Sequence, residues 1–164
     1  MKTPSRIRLV TRGDDAGSCR SANLAIRDCY LRGILRNTSV LASAPVAVHA
    51  ADVLRACEGL CIGLHACITA EWDELKWGPV LPARAVPSLV DKHGHFRATP
   101  TQIEQHGFDP DEVMAELAAQ LALLRALKFN VEYMDCHMGF NWLPGLAERV
   151  TAFAAHEGLI YSPG

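Results

Sequence analysis

The chain has 164 residues, 49% of them hydrophobic and 21% charged, which suits one domain with a substantial buried core. A formal charge of −2, with both signs mixed along the chain, gives no electrostatic case for nucleic acid or an anionic membrane. No apolar stretch reaches the roughly 18–20 residues of a membrane span, and the N-terminus MKTPSRIRLVTRGDD does not read as a secretory signal, so a cytoplasmic protein is expected.

Ile7–Arg12 (IRLVTR) reads as a short strand running into a loop, Gly13-Asp14-Asp15-Ala16-Gly17. A helix follows over Ser21–Leu31, with Gly33 as its terminator. Thr38–Ala42 is β-branched and apolar, a second strand, and Val46–Cys57 fits a helix behind Pro45. Leu60–His65 (LCIGLH) is a third strand, apolar enough to be covered on both faces. Residues 66–108 are proline-rich and show no long periodic element, and a loop of that length is usually functional or mobile. Asp109 then caps the clearest helix, with Pro110 in its first turn and a buried stripe of Val113, Leu117, Leu121 and Leu124. Val131–His137 is a fourth strand, Leu143–His156 a further helix, and Leu159–Tyr161 the start of a fifth strand. Alternating strands and helices predict an α/β fold with a parallel sheet, either barrel or doubly wound.

Polar residues recur at the strand ends: Asp14 and Asp15 after the first, His65 closing the third, Asp135 and His137 closing the fourth. In parallel α/β folds those ends gather on one face, which holds the active site. Asp15, His65 and His137 form a three-ligand set that leaves positions open for water and substrate around a divalent metal ion, Zn2+ or Mg2+. Asp14 is placed to act as catalytic base towards metal-bound water. Asp135 either orients His137 from behind or caps the turn. Trp72 and Trp77 are candidates to stack on a sugar ring, with loop packing as the equal alternative. His93 and His95 read as a loop hairpin, and His49 and His156 as surface or core-edge residues. The cysteines at 19, 29, 57, 61, 67 and 136 contain no C-x-x-C pair and read as reduced core residues rather than a thiolate cluster.

These motifs resemble the YdjC-like (ChbG-like) carbohydrate deacetylase family. Gly13-Asp14-Asp15-Ala16-Gly17 is similar to its N-A-D-D-F-G opening, and Asn23 stands where the family has an Asn in the next helix. Asn37-Thr38-Ser39-Val40 resembles its second-strand T-S motif, and Gly63-Leu64-His65 its G-L-H. Asp135-Cys136-His137 resembles the D-S-H core of H-I-D-S-H-Q-H, with Tyr133 and Gly139 replacing the outer histidines, and Glu116 to Gln120 resembles E-L-x-x-Q. The resemblance implies a distorted (β/α) barrel, NodB-like/YdjC-like, with its C-terminal part absent, so that residues 1–164 make one domain. It also implies Asp15, His65 and His137 as metal ligands, Asp14 as base, and removal of an N-acetyl group from an amino sugar or oligosaccharide. The family's late acid histidine has no counterpart here. Alternatives are a catalytically weakened metal-binding relative with a binding or assembly role, and a receiver-like signalling domain, whose third acidic residue and lysine are not found. A fifth strand that stops at once would leave an unpaired edge and favour a homo-oligomer.

Overall fold

The computed structural model describes residues 9–163, so Ile7 and Arg8 of the expected first strand lie outside the described residues. Strand β1 is Arg12–Ala16, which makes Gly13-Asp14-Asp15 part of the strand rather than the loop after it. A glycine and two aspartates are poor strand formers, and the pairing is imposed by β2 (Asn37–Val40). Asn37 Nδ2 donates to Thr11 O at 2.9 Å and Thr38 Oγ1 to Gly13 O at 2.7 Å. The ladder is interrupted by a register shift between Gly13 and Ala16.

Helix α1 (Arg20–Arg32) begins at Cys19, whose sulfur accepts from Ala22 N–H, and ends at Gly33. Helix α2 (Ala47–Leu54) stops short of Cys57, whose N–H turns back to Leu54 O and leads into β3 (Cys61–Ala66). The long segment holds 3-10 turns at Ala83–Ala85 and Pro87–Leu89 and a helix absent from the sequence reading, α3 (Pro100–His106). Thr99 caps α3 and Gly107 ends it at a positive φ of 83°, but its 7 residues are too few to show a helical period. Helix α4 (Pro110–Ala126) has the expected Asp109 cap and buries Val113, Leu117, Leu121 and Leu124. Strand β4 (Val131–Cys136) runs into a 3-10 segment, His137–Trp142. Helix α5 (Leu146–His156) starts three residues later than Leu143 because Gly145, at φ 78°, forms its N-cap, and β5 is Ile160–Tyr161.

Among the described residues the five strands are parallel and ordered β1-β2-β3-β4-β5. Doubly wound sheets reverse direction from the centre, so this sequential order belongs to the barrel type and excludes a receiver-like arrangement. Register puts Val40, Ile62, Leu64, Ala66 and Met134 on the face that packs with Ile26, Leu54, Leu117, Leu121 and Val150 of the helices. The opposite face carries Arg12, Ser39, Gly63, His65, Tyr133 and Asp135. Gly63 is required there, because a Cβ would run into the Tyr133 ring lying across it.

One face of α4 pegs the long segment in three places, with residues spaced one turn apart. Gln120 exchanges two hydrogen bonds with the Cys67 backbone, at 2.6 and 3.0 Å. Glu116 accepts from Val80 N–H and Leu81 N–H at 2.8 and 3.0 Å, and Glu112 accepts from Ser88 N–H and Oγ–H at 2.8 and 2.7 Å. Glu116 and Gln120 are fully buried. Among the described residues no helix is long and apolar enough to cross a membrane.

Candidate metal centre

At the C-terminal ends of β1, β3 and β4, Asp15 Oδ1, His65 Nε2 and His137 Nδ1 form a near-equilateral triangle. Its sides are 3.2 Å (Asp15–His65), 3.3 Å (Asp15–His137) and 3.1 Å (His65–His137). Asp15 reaches it because its φ of +64° breaks the strand alternation, leaving both neighbouring carboxylates on the polar face. Asparagine and aspartate tolerate this left-handed region better than other side chains. His137 is the first residue beyond β4, and the chain turns away behind it through Met138 and Gly139, both at positive φ.

The protons decide what the triangle can hold. His65 Nδ1 donates outward to Asp135 Oδ1 at 2.7 Å, and His137 Nε2 donates outward to Glu71 Oε2 at 3.0 Å. An imidazole that ligates a metal is neutral and carries one N–H, here directed outward, so in that state both inward nitrogens present lone pairs. Asp15 Oδ1 is buried beside them. Three acceptor atoms then face one another and repel unless a cation lies among them; without an ion, protons on the imidazoles supply the positive charge. Ligand bonds of about 2.1 Å would span edges of about 3.0 Å in octahedral and about 3.4 Å in tetrahedral geometry, and the observed edges fall between. The residues therefore fit a divalent ion. Among the described residues this is the one His/Cys/Asp/Glu grouping with such geometry.

Protons respond to the same field. Burial opposes charge on His65, but the Asp135 hydrogen bond and Asp15 outweigh it and push the imidazole up to about 9. Burial likewise opposes charge on His137, and Asp15 and Glu71 raise it nonetheless. The two imidazoles, His137 foremost, hold the Asp15 carboxyl below the ordinary carboxylate range.

Asp135 stands behind His65 and not His137, and its other oxygen pairs with Arg12 Nη1 at 2.7 Å. Arg12 Nε also pairs with Asp14 at 2.7 Å, and Ser39 Oγ donates to the same carboxylate at 3.0 Å. Arg12 thus ties the expected base to the carboxylate that orients His65. Trp77 is only 4% exposed and packs against the core, so it offers no ring face to a sugar. Half-buried Trp72 meets it edge to face at 5.8 Å between centroids and keeps its candidacy. His93 and His95 lie in a hairpin turn organised by Asp91, which accepts from both backbone N–H groups. His49 is half-buried beside Asn23, and His156 is exposed. All six cysteines are free; Cys57, Cys67 and Cys136 are core residues, with burial pushing the Cys67 and Cys136 thiols up to about 12, whereas Cys29 is exposed and Cys19 and Cys61 are half-buried, so the core reading fails for these three.

Two residues around the centre escaped the sequence reading. Nothing in spacing separates Glu71 from nearby Asp73 and Glu74. Arg12 did carry a signal, a lone cation beside two acidic residues at the edge of an apolar run.

Comparison with known proteins follows the same lines. The sequence profile of the YdjC-like proteins matches residues 8–161. The chain belongs to that family. A carbohydrate deacetylase of Danio rerio is 31% identical over 161 residues, 96% of this chain and 49% of the relative. One from Thermoanaerobacter pseudethanolicus is 30% identical over 79% of this chain and 49% of its own length. The chitooligosaccharide deacetylase of Serratia marcescens is 29% identical over 92% of this chain and 57% of its own. A crystal structure from Enterococcus faecalis, of a protein described provisionally as cleaving cellobiose phosphate, superposes with a TM-score of 0.83 at 25% identity. It covers 93% of this chain and 57% of that one. The chain spans about half the length of the curated relatives it matches.

Proposed function

We propose that this chain is a metal-dependent carbohydrate deacetylase, a hydrolase that removes an N-acetyl group from an amino sugar or oligosaccharide. The observation that carries this reading is the triangle of Asp15 Oδ1, His65 Nε2 and His137 Nδ1, with both imidazole protons committed to carboxylates outside it. A divalent ion held by these three residues, for which two imidazoles favour zinc, would supply Lewis acidity that activates water and polarises the acetyl carbonyl.

The remaining chemistry belongs to side chains. Asp14, steadied by Arg12 and Ser39, takes a proton from the attacking water. The water oxygen bonds to the carbonyl carbon, the C–N bond breaks as the nitrogen takes that proton back from Asp14, and a free amine and acetic acid, which ionises to acetate, result. Trp72 lies six residues beyond Ala66 in the loop after β3, where a ring face could stack on the sugar. Relatives named as carbohydrate deacetylases support this substrate class. Six unpaired cysteines suit a reducing compartment, which supports a cytoplasmic location.

The test is elemental analysis of the purified chain and of His65→Ala, followed by an acetate-release assay on N-acetylated chitooligosaccharides. About one ion per chain in the wild type, lost in the variant, with acetate released, is the expected result. An ion without acetate release would favour the binding or assembly role instead. No retained or added ion would overturn the reading.

A further inference from the structure

His65 and His137 face the centre through different nitrogens, Nε2 for one and Nδ1 for the other. Each therefore needs an acceptor on its opposite side. For His65 that acceptor is Asp135, adjacent in the sheet, where His65 and Asp135 are register partners. For His137 it is Glu71, which belongs to no regular element and reaches Nε2 from the loop after β3. We propose that Glu71 is a positioning residue, which fixes the ring orientation and tautomer of His137 and makes ion binding depend on the loop that carries it. The proposal deepens the metal reading above and rests on it.

The loop is built to hold Glu71 still. Gln120 clamps its beginning at Cys67, and Glu116 clamps Val80 and Leu81 beyond. Between these pegs Lys76 Nζ donates to Ala70 O at 2.8 Å, immediately before Glu71. Trp77 is buried with its ring centroid 6.5 Å from that of His137, so the imidazole is packed on the side from which the loop arrives. Glu71 is the described partner of Nε2, and its side chain is 27% exposed.

A carboxylate only accepts, so it requires the proton on Nε2. Without it, two other acceptors compete for the proton: His65 Nε2 at 3.1 Å and Asp15 Oδ1 at 3.3 Å, both facing Nδ1. Removing Glu71 should therefore move the proton to Nδ1, into the position an ion would take. Outer partners of this kind typically change metal affinity by about 10–100-fold.

The experiment uses Glu71→Ala and Glu71→Gln. In chelator-treated protein at alkaline pH, imidazole 15N shifts should show His137 protonated at Nε2 in wild type and at Nδ1 in Glu71→Ala. Glu71→Gln, which still accepts through Oε1, should keep the wild-type tautomer. Cobalt(II) affinity, measured by chelator competition, should fall about 10–100-fold in Glu71→Ala with altered visible bands, and by only a few-fold in Glu71→Gln. The metal-free thermal midpoint should stay close to wild type. An unchanged tautomer, or cobalt binding within two-fold of wild type, would overturn the proposal. So would a loss of affinity that merely follows a loss of metal-free stability. Failure of wild type itself to bind cobalt would instead overturn the metal reading, and the tautomer measurement would still decide the role of Glu71 in orienting His137.

Discussion

Replacing Asp135 with asparagine keeps the shape of the side chain and removes its charge from a site where it is 1% exposed. Two interactions are lost: the 2.7 Å ion pair with Arg12, and the charge behind the 2.7 Å hydrogen bond from His65 Nδ1. The second depends on pH, because His65 must hold its proton. His65 is raised from 6.5 to about 9 by Asp135 first and Asp15 second, against burial. At about 1.4 kcal/mol per pKa unit, holding its proton is worth on the order of 3 kcal/mol, and Asp135 is the larger of the two carboxylate contributions that outweigh burial. A pKa raised on folding stabilises the protein fully below the unfolded value near 6.5, and that stability is lost as pH rises through about 9. In metal-free protein, the stability gap between wild type and Asp135→Asn should therefore be largest near pH 6 and narrower at pH 10, by an amount on the order of 1–3 kcal/mol. Urea unfolding at both pH values with chelator present measures it. A gap that is constant with pH, or widens towards pH 10, would refute the assignment of Asp135 as the principal partner of the His65 charge.

Gly63→Ala should cost about 2 kcal/mol, because the new methyl must displace the Tyr133 ring in a packed strand pair. Thermal melts should show a drop of roughly 4–8 °C, relieved when Tyr133 is also shortened to valine, and no relief in the double variant would count against the clash. Glu116→Ala should strip the acceptors from Val80 N–H and Leu81 N–H, at about 1–3 kcal/mol for each unsatisfied donor. Limited proteolysis should then cut faster within residues 67–82 while α4 stays protected, and unchanged cutting would show that the pegs do not hold the segment.

Much of the candidate centre is legible because each residue of the triangle stands at the end of an apolar run. His65 closes LCIGLH, His137 follows VEYMDC, and the paired aspartates follow IRLVTR, so strand periodicity and the convergence of parallel strand ends suffice to group them. Helix α4 was equally plain, since its cap, proline and apolar stripe all agree. The first strand departs from its sequence pattern for a physical reason: Gly13-Asp14-Asp15 has loop chemistry, and only hydrogen bonds from Asn37 and Thr38, far along the chain, draw it into the sheet. Helix α3 is too short for a period, and for Trp77 the sequence leaves stacking and loop packing equally open, because burial in a long loop leaves no local pattern.

By itself, then, the sequence determined the alternation of strands and helices, the parallel sheet, and which side chains stand at the strand ends. Those properties follow from local periodicity and from the backbone's need to pair. Only tertiary structure decided that β-strand order is sequential, that Asp15 turns inward at positive φ, and that Asp135 serves His65 while Glu71 serves His137. Each of these depends on a contact between groups separated by tens of residues. A hydrogen-bond acceptor 66 or 70 positions away leaves no trace in the spacing around the histidine it orients.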